Sequence, residues 1–199
     1  EDRTGAPLVR PRRASRLLAG APFSGTLLLT QLHWDHTQGL PFFAAADRDD
    51  AHTVLLIPEQ GEDPLALLDR AMSPPHFPIT VRDLRGSWEV AAYDEGPREA
   101  EGFVVEAREV PHGGGRTMGL RVGDGRATLA YLPDHAPHAL GPGEDGLGVL
   151  HPAAIALAGG ADLLIHDAQY TAEELPARAA YGHAAAGYAR RLAERCGVP

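Results

Sequence analysis

His33, Asp35 and His36 fall within four positions, just after the apolar run Leu27-Leu28-Leu29. Two imidazoles and a carboxylate this close together are costly in an ordinary core, because each polar atom needs a partner. On a loop at the end of a strand they can converge on a divalent ion. Imidazole with carboxylate suits zinc, manganese or iron better than calcium or magnesium. Three later clusters share the arrangement, each with ligand or acid–base residues after an apolar strand: Val110-Pro111-His112, Leu132-Pro133-Asp134-His135 and Ile165-His166-Asp167. A fourth polar spot, Gly182-His183-Ala184, precedes the last helix.

These residues must be positioned by a mixture of strands and helices. The run at residues 25–31 reads as a buried strand. Gly39 to Ala46 is expected to begin a helix, with Pro41 in its first turn. Asp63 caps a helix that starts at Pro64. Strands are predicted over 53–57, 79–84, 88–93 and 103–110. Residues 118–122 and 127–132 form a hairpin around Gly123-Asp124-Gly125. Residues 141–148 form a glycine-rich loop, 152–158 a helix and 162–166 a buried strand. Thr171 caps a helix from Ala172, and a final helix spans 184–196. A short helix is expected over 14–19. The pattern does not read as strict β–α alternation, which argues against a doubly wound sheet and for an α+β class.

The bulk numbers exclude several function classes. The chain has 199 residues, 44% of them hydrophobic, enough for one packed domain. Net charge is −9 and lysine is absent, which argues against a broad nucleic-acid face. The basic cluster Arg10, Arg12, Arg13 and Arg16 reads as a solvated helix face. Cys196 is the single cysteine, so no intrachain disulfide can form, and a reducing compartment is the expected setting. With no apolar leader and no span-length apolar run, the expected location is cytoplasmic. Gly141-Pro142-Gly143-Glu144-Asp145-Gly146 matches a dinucleotide pattern, but its acids would repel pyrophosphate and it does not directly follow a strand. No G-x-S-x-G elbow occurs, and Cys196 has no evident base partner. Trp34 is expected to pack beside the site. His52, His76, His138 and His151 read as solvent-facing or capping residues.

Thr30-Gln31-Leu32-His33-Trp34-Asp35-His36, continued by Gly39-Leu40-Pro41-Phe42-Phe43, resembles the signature of the metallo-β-lactamase-fold hydrolases, in the ribonuclease Z and phosphodiesterase-like branch. The resemblance implies an αββα sandwich, read as one domain over 1–199 with two sheet-plus-helix halves divided near 95–100. It implies two divalent ions, zinc foremost. His33 and His112 would hold the first, Asp35 and His36 the second, and Asp134 would bridge both. Asp35 would also orient the attacking water, and His183 would stabilise or protonate the leaving group. His166 and Asp167 would support the site from behind. The implied reaction is hydrolysis of a small-molecule or nucleotide phosphodiester, with tRNA disfavoured by the acidic charge, no membrane partner, and a homodimer suggested by the branch.

Two departures from the signature stand out. Gln31 occupies the position of the first histidine and offers a weaker ligand. The last histidine of the pattern would lie beyond Pro199, and Asp2-Arg3-Thr4-Gly5 resembles a stretch that normally follows the opening strands. The fold is therefore expected to be incomplete at both ends. A degenerate or truncated non-catalytic member and a lactonase or β-lactamase-like carbonyl hydrolase remain open as alternatives.

Overall fold

A computed structural model describes residues 20–199. The expected helix at 14–19, the basic cluster and the Asp2 stretch lie outside the described residues. The chain divides into two compact units, one running to Tyr93 and one from Asp94 to Pro199.

The first unit is built on a three-stranded sheet of β1 (Ser24–Leu28), β2 (His52–Pro58) and β3 (Ser87–Tyr93), in that order and all parallel. Parallel neighbours require crossovers. These pass through the short helix α1 (Trp34–Thr37) and through α2 (Pro64–Ala71). This unit therefore does alternate strand and helix, contrary to the expectation from sequence. The first crossover hides that alternation because its helix is a single turn. Asp63 caps α2 as expected, its side chain accepting from the Ala66 N–H at 2.9 Å. The core gathers Phe23, Leu27, Leu29, Leu40, Phe43, Leu55, Ile57 and Leu68.

Two local expectations fail here. Gly39 to Ala46 does not open an α-helix; it forms a 3-10 turn over Leu40–Phe42. The Ala45 carbonyl is taken by the Phe23 N–H at 2.7 Å, and the Phe43 ring buries against Phe23 at 5.1 Å. The segment's groups are thus spent on non-local partners. Residues 79–84 are not a strand but a 3-10 turn over Val81–Asp83. The Asp83 carboxylate accepts from both the Thr80 N–H and its hydroxyl at 2.8 Å, a local bond pattern that competes with sheet pairing.

The second unit carries a five-stranded sheet: β4 (Gly96–Ala100), β5 (Phe103–Val110), β6 (Thr117–Gly123), β7 (Thr128–Leu132) and β8 (Leu163–His166). All pairs are antiparallel except β7 with β8. The predicted hairpin is β6–β7. The strand β4 was not expected, since Gly96 and Pro97 argue against strand; it lies at the sheet edge, where proline is tolerated. At the other edge, β8 is not buried as expected: Leu163 is 54% exposed and Ile165 44%. The parallel crossover to β8 contains α3 (Pro152–Ala158), whose Ala154, Leu157 and Ala158 pack with Ala130, Leu132, Tyr188 and Leu192. A four-residue helix, α4 (Leu175–Arg178), follows β8, and the chain closes with α5 (Ala186–Cys196). The expected helix from Ala172 starts only at Leu175, although Thr171 and Glu174 do exchange capping bonds. Gly197 ends α5 in the left-handed conformation, φ 67°. Among the described residues no helix is long and apolar enough to cross a membrane.

Candidate metal centre

In the first unit the chain leaves β1 and stays anchored. The Leu29 N–H continues the ladder to the Leu56 carbonyl, and the buried Tyr93 hydroxyl donates to the Leu29 carbonyl at 2.7 Å. Thr30 and Gln31 are buried in consequence, Gln31 to 1% exposure. His33 then takes the N-cap position of α1, and Asp35 and His36 follow on that single turn. His36 Nε2 lies 3.3 Å from Asp35 Oδ2 and 2.9 Å from the Gln31 amide nitrogen. A primary amide can give an N–H to an imidazole lone pair, so Gln31 stands against the ring edge where a ligand atom would point. Trp34 departs from expectation: its indole is 65% exposed rather than packed away.

In the second unit topology assembles the site. β5 and β7 each run antiparallel to β6, so they share a direction, and β8 is parallel to β7. Their C-terminal ends therefore meet at one edge of the sheet. His112 follows β5, Asp134 follows β7 and Asp167 follows β8. His183 reaches the same edge through a bridge between Tyr170 and Ala185. One ligand atom from each of Asp134, Asp167 and His183 lies within 4.8 Å of the other two.

His112 is the best-defined ligand candidate. Its Nδ1–H donates to the Gly182 carbonyl at 2.6 Å. That bond fixes the tautomer and leaves the Nε2 lone pair facing outward, as a metal-binding histidine requires. Nε2 faces Asp134 Oδ2 at 3.5 Å. Two zinc ligands at tetrahedral angles, with bonds near 2.0–2.2 Å, stand about 3.4 Å apart. The separations of 3.5 Å here and 3.3 Å between His36 and Asp35 fit that bite. The donor types and these two separations thus suit divalent-ion ligands.

Asp167 is the organising carboxylate of this edge. Its Oδ2 accepts from His183 Nδ1 at 2.8 Å and from the His135 and Ala184 N–H groups at 3.2 Å. Its Oδ1 accepts from the Gln169 N–H at 3.1 Å. Asp167 therefore stands among the cluster atoms. His166 lies behind it, donating from Nδ1 to the Asp167 carbonyl at 2.6 Å. Sequence reasoning assigned no role to His135. The structure buries it completely, 3.0 Å from His166 Nε2 through Nδ1 and against the Tyr188 ring. Burial pushes the His135 imidazole down to about 2 and lowers that of His166 as well. These neutral rings form a rigid backing to the site. The His135 signal was present as an Asp-His pair after a strand, but only the tertiary contact separates it from a loop residue. His151 takes the N-cap position of α3, while His52 and His76 are exposed and His138 bonds the Gly146 carbonyl.

Comparison with solved structures places the fold. The metallo-β-lactamase fold protein YhfI from Bacillus subtilis is 17% identical, with a TM-score of 0.59, covering 87% of this chain and 60% of its own. The short form of human tRNase Z is 20% identical, with a TM-score of 0.61 and coverage of 87% and 69%. A diphosphatase of the PhnP family is 18% identical, with a TM-score of 0.54 and coverage of 87% and 56%. The chain thus spans between 56% and 69% of the length of these three. No curated protein matches it. Its sequence matches the beta-lactamase superfamily domain over residues 5–199, and the chain belongs to that family, in its metallo-β-lactamase fold.

Proposed function

We propose that the chain is a metal-dependent hydrolase acting on a phosphodiester or related ester. The observation that carries this reading is the pair of imidazole–carboxylate contacts, His36 with Asp35 and His112 with Asp134, each at ligand bite distance. In this reading His33 and His112 would hold one ion, Asp35 and His36 another, and Asp134 would serve both. Zinc is the ion the donor set favours, with manganese or iron as further fits. Such ions, when bound, would lower the pKa of water and draw charge from the substrate oxygens. Asp35 would orient the attacking water. His183 would give a proton from Nε2 to the leaving oxygen, while Asp167 grips Nδ1 and keeps the ring aimed. The single Cys196 supports a reducing, cytoplasmic setting. A small-molecule or nucleotide diester suits the acidic chain better than tRNA. A homodimer is the proposed assembly.

Gln31 favours a second reading, a member of the fold that does not catalyse. It puts a neutral amide where a ligand is needed, and that amide already contacts His36. Hydrolysis of bis-p-nitrophenyl phosphate by the zinc- or manganese-loaded chain separates the two. The hydrolase reading expects turnover that falls about 10²–10⁴-fold in His183→Ala with metal content unchanged. Absence of turnover in both the loaded chain and its Gln31→His variant would favour the second reading.

A further inference from the structure

Beside α1, and lined among the described residues by the first unit, lies a cavity of about 230 Å³. Leu40, Leu68, Met72 and Val81, all buried or nearly so, form its base. Its rim carries Phe42, edge-on to Phe77 with centroids 6.0 Å apart. Trp34 also lines it, and Trp34 and Phe42 are 65% and 59% exposed. Two large, solvent-exposed aromatic side chains beside an apolar hollow mark a binding surface rather than scattered surface apolarity. Among the described residues the polar lining is confined to Thr37 and Gln38. The Thr37 hydroxyl is turned to the His33 and Trp34 carbonyls at 3.4 Å. What the hollow offers an occupant is therefore apolar contact and an aromatic face.

Its position gives the occupant an orientation. Trp34 sits in sequence between His33 and Asp35, and Thr37 follows His36 on the same helical turn. The polar side of the hollow is the segment bearing the candidate ligands, and the apolar side is α2 and the 3-10 turn at Val81–Asp83. A molecule seated there would put its apolar end against Met72 and Val81 and its polar end toward α1. Charged nucleotide groups gain nothing from such walls. A dry cavity of about 150 Å³ accepts benzene, so this volume has room for a substituted aromatic ring.

We propose that this hollow is a substrate subsite for an aryl or branched-alkyl ester substituent, held beside the bond to be hydrolysed. The proposal rests on the hydrolase reading for the identity of the bond, but not for the binding of the apolar group. It is therefore tested first on metal-free protein, by titration with 1-naphthol followed through the probe's own fluorescence. Wild type should bind saturably. Ala71→Trp, which fills the hollow from the last residue of α2, should weaken binding at least about tenfold. Phe42→Ser, which removes an exposed rim ring at little cost to folding, should weaken it severalfold. In the metal-loaded chain, wild type should prefer bis-p-nitrophenyl phosphate over methyl p-nitrophenyl phosphate in kcat/KM by about tenfold. Ala71→Trp should bring that preference to within about twofold.

No saturable naphthol binding, or binding untouched by both variants, would overturn the subsite. So would a chain that is dimeric in wild type and monomeric in Phe42→Ser, because the hollow would then be an interface between copies. Naphthol binding that responds to the variants in a chain that never hydrolyses a diester would uphold the apolar site and refute the hydrolase reading. Hydrolysis without naphthol binding would do the reverse.

Discussion

Replacing Gly182 with alanine should loosen His112 and weaken metal binding without touching any ligand. Gly182 has φ 82°, a conformation that costs an alanine about 1–2 kcal/mol. An added Cβ would also stand 2.5 Å from the His112 carbonyl oxygen and 3.1 Å from its Nδ1. The first distance is too short for any carbon, so the backbone must shift. That shift acts on the 2.6 Å bond from His112 Nδ1–H to the Gly182 carbonyl, the bond that presents Nε2 outward. Losing such a partner to a ligating histidine typically costs about 10–100-fold in metal affinity. Gly160→Ala is the matched control, since Gly160 has φ 62° with nothing within 4 Å of the added carbon. It should lose about 1–2 kcal/mol of stability and no metal affinity. Gly182→Ala should lose about 3 kcal/mol of stability as well as the affinity. Competition against a chromophoric zinc chelator gives the affinities and urea unfolding the stabilities. Equal zinc affinity in Gly182→Ala and Gly160→Ala would refute the claim that the Gly182 carbonyl prepares His112 for a metal.

Gln31→His should raise zinc affinity by about tenfold or more, measured in the same competition, because an imidazole replaces an amide at a buried position already in contact with His36. Asp167→Asn should cost about 2–4 kcal/mol in urea unfolding, since Asp167 accepts four hydrogen bonds and an amide NH₂ would face donors in place of an acceptor. His151 gives a pH dependence. Burial lowers its folded pKa below the ordinary 6.5, so the unfolded chain binds a proton the folded chain refuses. Its contribution is full above that value and is lost as pH falls toward the lowered one. Between pH 7.5 and 5.5 the urea midpoint should therefore drop more in wild type than in His151→Gln.

Much of this architecture is legible locally. The apolar run of β5, the Asp63-Pro64 start of α2 and the Gly-Asp-Gly turn of the β6–β7 hairpin each state their structure within a few residues. What escapes is decided at a distance. The Gly39–Ala46 segment had a helical composition, yet Phe23 captures its Ala45 carbonyl. Residues 79–84 looked like a strand, yet one aspartate side chain closed them into a turn. In β4 the edge position overrode Gly96 and Pro97. The site divides the same way. His33, Asp35, His36, His112 and Asp134 announce themselves by residue type after apolar strands. The role of Asp167 as the hub does not, because its partners His183 and His135 lie 16 and 32 residues away in the chain. The exposed Trp34 likewise needed the structure, since an indole beside a metal motif packs as readily as it lines a hollow.

Metal content after loading decides whether these side chains hold an ion. The chain is incubated with zinc, freed of excess by gel filtration and measured by mass spectrometry, beside His36→Ala and His112→Ala. Wild type should retain about one to two equivalents, with a clear loss in each variant. Less than about a tenth of an equivalent in wild type, or content unchanged in both variants, would contradict it.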